Sequence, residues 1–364
     1  RPYSQTGLYH YFHFLNLYLQ HPHPHTGKKA AFSNMKLLSV LTLLVAAIGV
    51  QQTLGHPAAG PADITPNTND PVVKQWLSTV DLSNVPNLPA SNGGKVNYNP
   101  TLCTPPTVIQ PNQGSWTCQK FVANDDIIDC PGKNTWGLTY DDGPSQFTPA
   151  LLTVLAANKL HATFFVVGSR VVSHPEIVKN MIAQGHNVAV HTWSHPALTS
   201  LSNEQVVTEL KWTLKSIKDA CGLTPKYMRP PFGDTDNRVR AITKAVGLTT
   251  IIWTDGFDTD DWALTTGKST LNDVLNVFDG FVSKAASMPR GFLVLEHDLF
   301  NQTVNAAIVV IGKAVKTPLT IQTVPECIGD PNPYLENVST GTNVHSQRIL
   351  DLAQVTELPL LFML

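Results

Sequence analysis

Short apolar runs alternate with amphipathic helical patterns along residues 136–324. The runs that we predict as strands are WGLTY, TFFVVG, NVAVH, KYM, TTIIWT, FLVLEHD and PLTIQTV. Between them, apolar residues recur at helical spacing, and the longest such segment begins at a predicted capping box formed by Ser202 and Gln205. Repeated strand–helix units predict an α/β fold with a parallel sheet wrapped by helices, either a barrel or a doubly wound sheet.

Polar side chains stand repeatedly at the carboxyl ends of the predicted strands. They are Asp141 and Asp142, His191, Arg229, the segment 258–262, and His297. In barrels and doubly wound sheets alike, ligands and chemistry gather at this edge of the strands. We therefore expect these side chains to converge on a single site.

The segment before the strands has another character, because Pro, Asn, Thr and Gly are frequent in residues 56–128 and periodicity is weak. We interpret it as a linker or loosely ordered extension that docks through Trp76 and Trp116. Residues 35–55 combine a basic start, an apolar run and small residues, as secretory signal peptides do. A membrane anchor is the alternative, but the apolar run is shorter than the roughly 20 residues that span a bilayer.

The two ends of the chain are harder to interpret. Residues 1–34 contain no methionine and precede the predicted signal peptide, so we interpret them as a non-native segment, either translated from an untranslated region or the product of a fragmentary gene model. Residues 329–364 are predicted to form a tail, whose final apolar stretch is too short for a convincing lipid-anchor signal. The intervening residues 129–328 are the predicted catalytic domain.

Composition narrows the function further. Hydrophobic residues make up 42% of the 364 residues, which is enough for a sizeable core, and charged residues only 14%. The net charge of -2 and the lack of a basic stripe argue against nucleic-acid binding. None of the 5 cysteines lies in a CxxC pair, so structural disulfides are expected, and Cys130 could pair with Cys327 although the sequence leaves the pairing open. N-glycosylation sequons begin at Asn301 and Asn337.

The candidate chemistry starts from HTWSH, because His191 and His195 have a spacing that lets two imidazoles bind one metal ion. Exposed surface histidines are the alternative if no acid completes the site. The adjacent Asp141 and Asp142 supply one, although DDGP could instead shape a turn or cap a helix. Two histidines and one aspartate, with a position left for water, are typical of catalytic zinc sites and suit amide or ester hydrolysis.

Taken together in this order, TYDDGP, HTWSH, RPPFG, DTDDW and LEH resemble the five motifs of the polysaccharide deacetylases of carbohydrate esterase family four. The run from about 129 to 324 is most similar to the secreted chitin deacetylases of fungi. The resemblance implies a distorted (β/α) barrel and metal-dependent removal of acetyl groups from N-acetylglucosamine units of chitin. It also implies a secreted protein of the extracellular space or cell wall, and we expect a monomer without a transmembrane span.

The resemblance assigns roles residue by residue. By this match Asp141 is the catalytic base, His297 the general acid, and Asp142, His191 and His195 hold Zn²⁺, with Co²⁺ or another divalent ion also possible. By the same match, Arg229 orients the base and Asp261 tunes the acid. The residues that contact substrate are Pro231, Phe232, Trp193 and Trp262. Asp260 stands beside Asp261, so the sequence does not decide which carboxylate serves His297. Trp193 and Trp262 could equally be core aromatics.

Two other functions fit the same residues. An esterase that removes O-acetyl groups from xylan would use identical machinery, since the attacked carbonyl is similar. A catalytically silent wall-binding protein on this fold is the other alternative, although such proteins are expected to lack a base, an acid or a ligand that this chain retains.

Overall fold

A computed structural model of the protein describes residues 64–91 and 113–336. Several predicted features lie outside the described residues: the segment 1–34, the signal peptide 35–55, Cys103, the sequon at Asn337 and most of the tail. Within the described ranges, no helix is both long enough and apolar enough to cross a membrane.

The strands and helices follow the predicted alternation. The strands are β1 (Thr135–Gly137), β2 (Thr139–Asp141), β3 (Thr163–Val166), β4 (Asn187–Val190), β5 (Tyr227–Met228), β6 (Thr249–Thr250), β7 (Phe292–Leu293) and β8 (Thr320–Gln322). The helices are α1 (Pro71–Leu77), α2 (Trp116–Gln119), α3 (Thr148–Ala157), α4 (Gly168–Ser173), α5 (Pro175–Ala183), α6 (Asn203–Cys221), α7 (Asn237–Val246), α8 (Leu271–Ala285), α9 (Asn301–Ala314) and α10 (Val324–Ile328). The predicted capping box of Ser202 and Gln205 starts α6.

The strands are parallel and form a ring that is closed by irregular segments. Five strands lie in the order β2-β3-β4-β5-β6, and three in the order β7-β1-β8. The segment that follows β6 is hydrogen-bonded to the segment that contains β7. Thr254 N donates to Leu293 O at 3.1 Å, and Leu295 N donates to Phe257 O at 3.0 Å. A bridge between Asp141 and His297 then returns to β2. This ring is the distorted (β/α) barrel that the sequence resemblance implied.

The longer helices pack around the ring through their buried apolar residues. The long α6 packs against α4, α5 and α7, while α9 packs against α3 and α8. The core contains large aromatic side chains without solvent exposure, among them Trp136, Phe164, Phe278 and Phe292. Helix α4 was not predicted, since its six residues are too short to show a helical period.

The flanking segments pack on the barrel more closely than a linker would. Trp116 is buried and meets Trp253 edge-on with ring centroids 4.5 Å apart. Trp76 of α1 meets Trp212 of α6 at 5.1 Å, so the predicted docking through Trp76 and Trp116 is observed. At the other end, the hydroxyl of buried Tyr334 accepts from Val188 N at 2.8 Å. The domain boundaries at 129 and 328 stay predictions, but packed residues extend past both.

A disulfide joins Cys130 before β1 to Cys327 in α10. It links the two ends of the predicted catalytic domain, and it settles the pairing that the sequence left open for these two cysteines. Cys221, at the end of α6, is a free thiol.

Candidate active site

The carboxyl ends of β2, β4 and β5 place three of the predicted residues side by side. Asp141 is the last residue of β2, and its N–H donates to Glu296 O at 2.9 Å. His191 follows β4 and Arg229 follows β5, where Arg229 N donates to Val190 O at 2.9 Å. The parallel register thus brings together side chains that are far apart in sequence.

Asp142, His191 and His195 form a cluster whose candidate ligand atoms lie within 4.8 Å of one another. Asp142 Oδ1 is 3.0 Å from His195 Nε2 and 3.3 Å from His191 Nε2. The Nδ1 atom of His191 lies 2.8 Å from Arg229 O, a carbonyl that can only accept. The ring hydrogen of His191 is therefore on Nδ1, and the lone pair of Nε2 faces Asp142.

The electrostatics of this cluster fit a cation. Asp142 Oδ1 is buried and has no hydrogen-bond partner among the described residues. Burial lowers the pKa of His195 more than the charge of Asp142 raises it, so this imidazole is uncharged at neutral pH. An ionised carboxylate facing imidazole lone pairs is the donor set that a divalent ion binds.

Asp141 pairs with Arg229 beside this cluster. Arg229 Nη1 donates to Asp141 Oδ1 at 2.9 Å and to Thr139 Oγ1 at 2.8 Å. The guanidinium is fully buried and lies 4.2 Å from the centroid of the Phe165 ring. The second oxygen, Asp141 Oδ2, is 4.0 Å from His191 Nε2 and faces the cluster.

His297 is held by Asp261 through two hydrogen bonds. Asp261 Oδ1 is 2.7 Å from His297 Nδ1, and Oδ2 accepts from the His297 N–H at 2.9 Å. Burial lowers the pKa of His297, but the charge and hydrogen bond of Asp261 outweigh it and raise the pKa to about 10. The neighbouring Asp260 is exposed, so of the two acids that the sequence offered, Asp261 is the one that contacts His297.

The aromatic residues divide into a rim and a core. Phe232 is 36% exposed and its ring lies 4.6 Å from that of His195, and Trp262 is 49% exposed. The prediction that Trp193 contacts substrate is wrong, because the side chain is buried behind the site and packs on Trp212 at 5.8 Å. The ring of Pro231 is buried as well, so its predicted substrate contact is also not supported.

Sequence reasoning missed two buried carboxylates that support the site. Asp298 Oδ1 accepts from Gly143 N at 3.0 Å and Oδ2 accepts from Thr148 Oγ1 at 2.6 Å, which ties the turn after Asp142 to the segment carrying His297. Burial raises the pKa of Asp298 to about 7. Glu209 bonds to the backbone of the HTWSH segment. An acid on the apolar face of α6 was the only signal available for Glu209.

Comparisons with known proteins agree on one family. The polysaccharide deacetylase family model matches residues 128–251. Chitin deacetylase 1 of Cryptococcus neoformans var. grubii is 42% identical over 293 residues, which are 77% of this chain and 61% of the relative. Chitin deacetylase 1 of Saccharomyces cerevisiae is 37% identical over 262 residues, which are 71% of this chain and 78% of the relative.

The fold comparison points the same way. The solved structure of a chitin deacetylase from Colletotrichum lindemuthianum matches with a TM-score of 0.53 and 29% identity, over 60% of this chain and all of that one. The chain spans less than two thirds of the length of several curated relatives, 61% and 63% for two from Cryptococcus.

Proposed function

Because the chain belongs to the polysaccharide deacetylase family, we propose that it hydrolyses N-acetyl groups of N-acetylglucosamine units in chitin and yields chitosan and acetate. The relatives named as chitin deacetylases support the choice of chitin. The observation that carries the proposal is the meeting of the Asp142–His191–His195 cluster with Asp141 and His297. Amide hydrolysis needs an activated water, a base and an acid, and we assign these roles to the cluster, to Asp141 and to His297 respectively.

The residues proposed to hold the metal are Asp142, His191 and His195. We propose Zn²⁺, because two imidazoles and one carboxylate suit zinc in catalytic sites, although Co²⁺ or another divalent ion could also bind there. When bound, such an ion polarises the acetyl carbonyl and lowers the pKa of a water molecule to about 7.

Asp141 is the proposed base. Arg229 occupies Oδ1 and fixes the orientation of the carboxylate, which leaves Oδ2 facing the cluster. Oδ2 accepts a proton from the attacking water as the water oxygen forms its bond to the acetyl carbon. Because Arg229 is fully buried and permanently charged, the orientation of Asp141 does not depend on pH in the neutral range.

His297 is the proposed acid. With Nδ1 bound to Asp261, Nε2 carries the proton that is donated to the departing nitrogen. The bond between the acetyl carbon and this nitrogen then breaks, and acetate and the free amine leave. A pKa near 10 keeps His297 protonated at neutral pH, as an acid requires.

We assign Phe232 and Trp262 to the substrate side of the site. The backbone of Phe232 has a φ of 60°, and its N–H is the proposed donor to the developing oxyanion. Trp262 is proposed to wall the acetyl pocket, which its exposed ring next to Asp261 supports.

Acetate release from chitin oligomers tests the proposal. The purified full chain should release acetate, lose this activity on chelation and regain it with Zn²⁺. Asp142→Asn and His191→Ala should abolish release, whereas Asp260→Asn, which changes an exposed acid next to Asp261, should not. Acetylated xylan as a parallel substrate separates an O-acetyl esterase from an N-deacetylase. Binding to chitin without turnover would contradict the proposal and favour a wall-binding protein.

We further propose that the protein is secreted to the extracellular space or cell wall and acts as a monomer. The Cys130–Cys327 disulfide supports this, because such bonds form in oxidising compartments. Detection of the protein in culture medium, with an N-terminus inside or after residues 35–55, would test secretion. We keep 129–328 as the catalytic domain, with packed flanks at both ends.

A further inference from the structure

The metal-binding histidines lie on a loop whose backbone is unusual. Within the HTWSH loop, residues 191–195, Thr192 has a φ of 65° and His195 a φ of 60°. Left-handed backbone is uncommon for residues with a Cβ and is a genuine outlier for a β-branched residue such as threonine. Strained positions of this kind persist only when the surrounding structure determines them fully. One hydrogen bond inside the loop, from His195 N to Thr192 Oγ1 at 3.0 Å, supports this conformation, and the other contacts that support it come from outside the loop.

Glu209 of α6 supplies that support from behind the loop. Its Oε2 accepts from Trp193 N at 2.7 Å and from Ser194 N at 2.9 Å, and its Oε1 accepts from Ser194 Oγ at 2.6 Å. The side chain has no solvent exposure. Burying a carboxylate is costly unless hydrogen bonds satisfy it, and the loop provides three donors to this one.

The remaining polar groups of the loop backbone are also fixed. Gly168 N donates to Thr192 O at 2.9 Å and Ser169 N donates to Trp193 O at 3.1 Å. A Cβ at Gly168 would lie 2.8 Å from the ring of Trp193, so the glycine permits this close approach of α4. Together with Glu209, these bonds define one conformation between His191 and His195.

Residues 64–91, which we call the strap, cover this arrangement from outside. Val73 of α1 has no solvent exposure and belongs to one apolar cluster with Trp193 and Trp212. Trp76 meets Trp212 edge-on at 5.1 Å, and Trp212 meets Trp193 at 5.8 Å. The strap is held again at its far end, where Ser91 Oγ lies 2.9 Å from Thr199 Oγ1.

We propose that Glu209 is a positioning residue that holds the HTWSH loop in its metal-binding conformation, and that the strap stabilises this contact by packing over Trp193 and Trp212. The inference rests on the proposed metal-dependent function, since it concerns the affinity of that site. It also changes the interpretation of residues 64–91, which become part of the working site rather than a linker.

The test measures metal affinity directly. Zn²⁺ affinity of the metal-stripped full chain is determined by competition with a chromogenic chelator, and the Co²⁺-loaded protein gives a visible spectrum that reports ligand geometry. Glu209→Ala should lower Zn²⁺ affinity by roughly 10- to 100-fold, the usual cost of removing an outer partner of a metal ligand. Glu209→Gln keeps an oxygen for the two N–H groups and should restore most of the affinity.

Asp126→Ala is the matched control. The Asp126 side chain is also buried, and it accepts from Ala123 N at 2.9 Å and from Arg240 Nε of α7 at 3.0 Å. Its removal should lower the midpoint of thermal unfolding but leave Zn²⁺ affinity and the Co²⁺ spectrum unchanged. If Glu209→Ala does not fold, Trp76→Ala provides a milder variant, for which we expect a loss of affinity of severalfold and a matching spectral change.

The outcomes separate this inference from the proposed function. If the wild type binds Zn²⁺ and both Glu209→Ala and Trp76→Ala bind it with the same affinity, the positioning role alone is overturned. Zn²⁺ binding that depends on Glu209, without acetate release from chitin, upholds the positioning role and rejects the chitin proposal. A wild-type protein that binds no divalent ion overturns both.

Discussion

Two carboxylates in the site each face imidazole groups, but in opposite ways. Both oxygens of Asp261 accept hydrogen bonds from His297, one from the ring and one from the backbone. Asp142 Oδ1 instead lies 3.0 and 3.3 Å from two imidazole nitrogens without a hydrogen bond among the described residues. The same two residue types therefore form a hydrogen-bonded pair at His297 and, at Asp142, a cluster that could hold a cation, which we call the cage.

The difference originates at the far nitrogen of each ring. The Nδ1 of His191 faces a carbonyl, Arg229 O, which places the hydrogen there and turns a lone pair toward Asp142. The Nδ1 of His297 faces the carboxylate of Asp261, which stabilises the charged ring and raises its pKa to about 10. The partner of Nδ1 thus distinguishes His191, the histidine that we propose as a metal ligand, from His297, the histidine that we propose as the acid.

Replacing the cage carboxylate should have the largest effect. Asp142→Asn removes the negative charge but keeps the size of the side chain, so Zn²⁺ affinity should fall by more than the roughly 100-fold that outer partners cost. Acetate release should be lost with it. Competition with a chelator measures the affinity, and Asp261→Asn is the control that should bind Zn²⁺ as the wild type does. Equal affinity losses in both variants would contradict the distinction.

Replacing the acid should come next in size. His297→Gln removes the proton donor, and loss of general acid catalysis typically lowers kcat by roughly 10²- to 10⁴-fold. Zn²⁺ affinity should stay at the wild-type value, because His297 is not in the cluster. Parallel measurement of kcat and Zn²⁺ affinity checks this. A variant that loses its metal would place His297 among the ligands instead.

The sequence predicted that Asp142, His191 and His195 would lie close together, because polar residues at the ends of parallel strands meet at one edge of the sheet. It could not separate Asp260 from Asp261, since that choice depends on the left-handed backbone of Asp260, with a φ of 55°. Nor could it show that Trp193, lying between the two histidines, turns away into the core. The support by Glu209 was hidden because it joins residues from two elements, a contact that no local pattern encodes.

Replacing Asp261, the hydrogen-bond partner of His297, with asparagine should shift the pH profile of kcat rather than abolish activity. Asp261 is the main cause of the raised pKa of His297, so Asp261→Asn should return that pKa from about 10 toward or below its ordinary value of 6.5. His297 must be protonated to act, so the alkaline limb of the kcat profile should move to lower pH. Profiles measured from pH 5 to 10.5 on oligomers check the shift, and an unmoved limb would assign it to another group.

The pair of His297 and Asp261 also predicts how the stability of the folded protein changes with pH. A pKa raised in the folded state contributes stability that is complete below pH 6.5 and is lost as the pH rises through about 10. The difference in melting temperature between the wild type and Asp261→Asn should therefore be largest near pH 6 and should shrink toward pH 10. A difference that grows with pH would mean that His297 is uncharged in the folded protein.

Replacing Trp262, whose exposed ring lies next to Asp261 in sequence, should have the smallest effect. Trp262→Ala removes an aromatic surface that is 49% exposed, and we expect KM for chitin oligomers to rise by severalfold while Zn²⁺ affinity is unchanged. Trp262→Phe should recover most of the binding, since a ring that packs on the acetyl group is retained. Leu271→Ala, at a residue 40% exposed at the start of α8, is the control for loss of exposed apolar surface. If Leu271→Ala raised KM as much, Trp262 would have no specific contact with substrate. If Trp262→Ala lowered Zn²⁺ affinity, Trp262 would instead support the proposed metal site rather than the surroundings of His297.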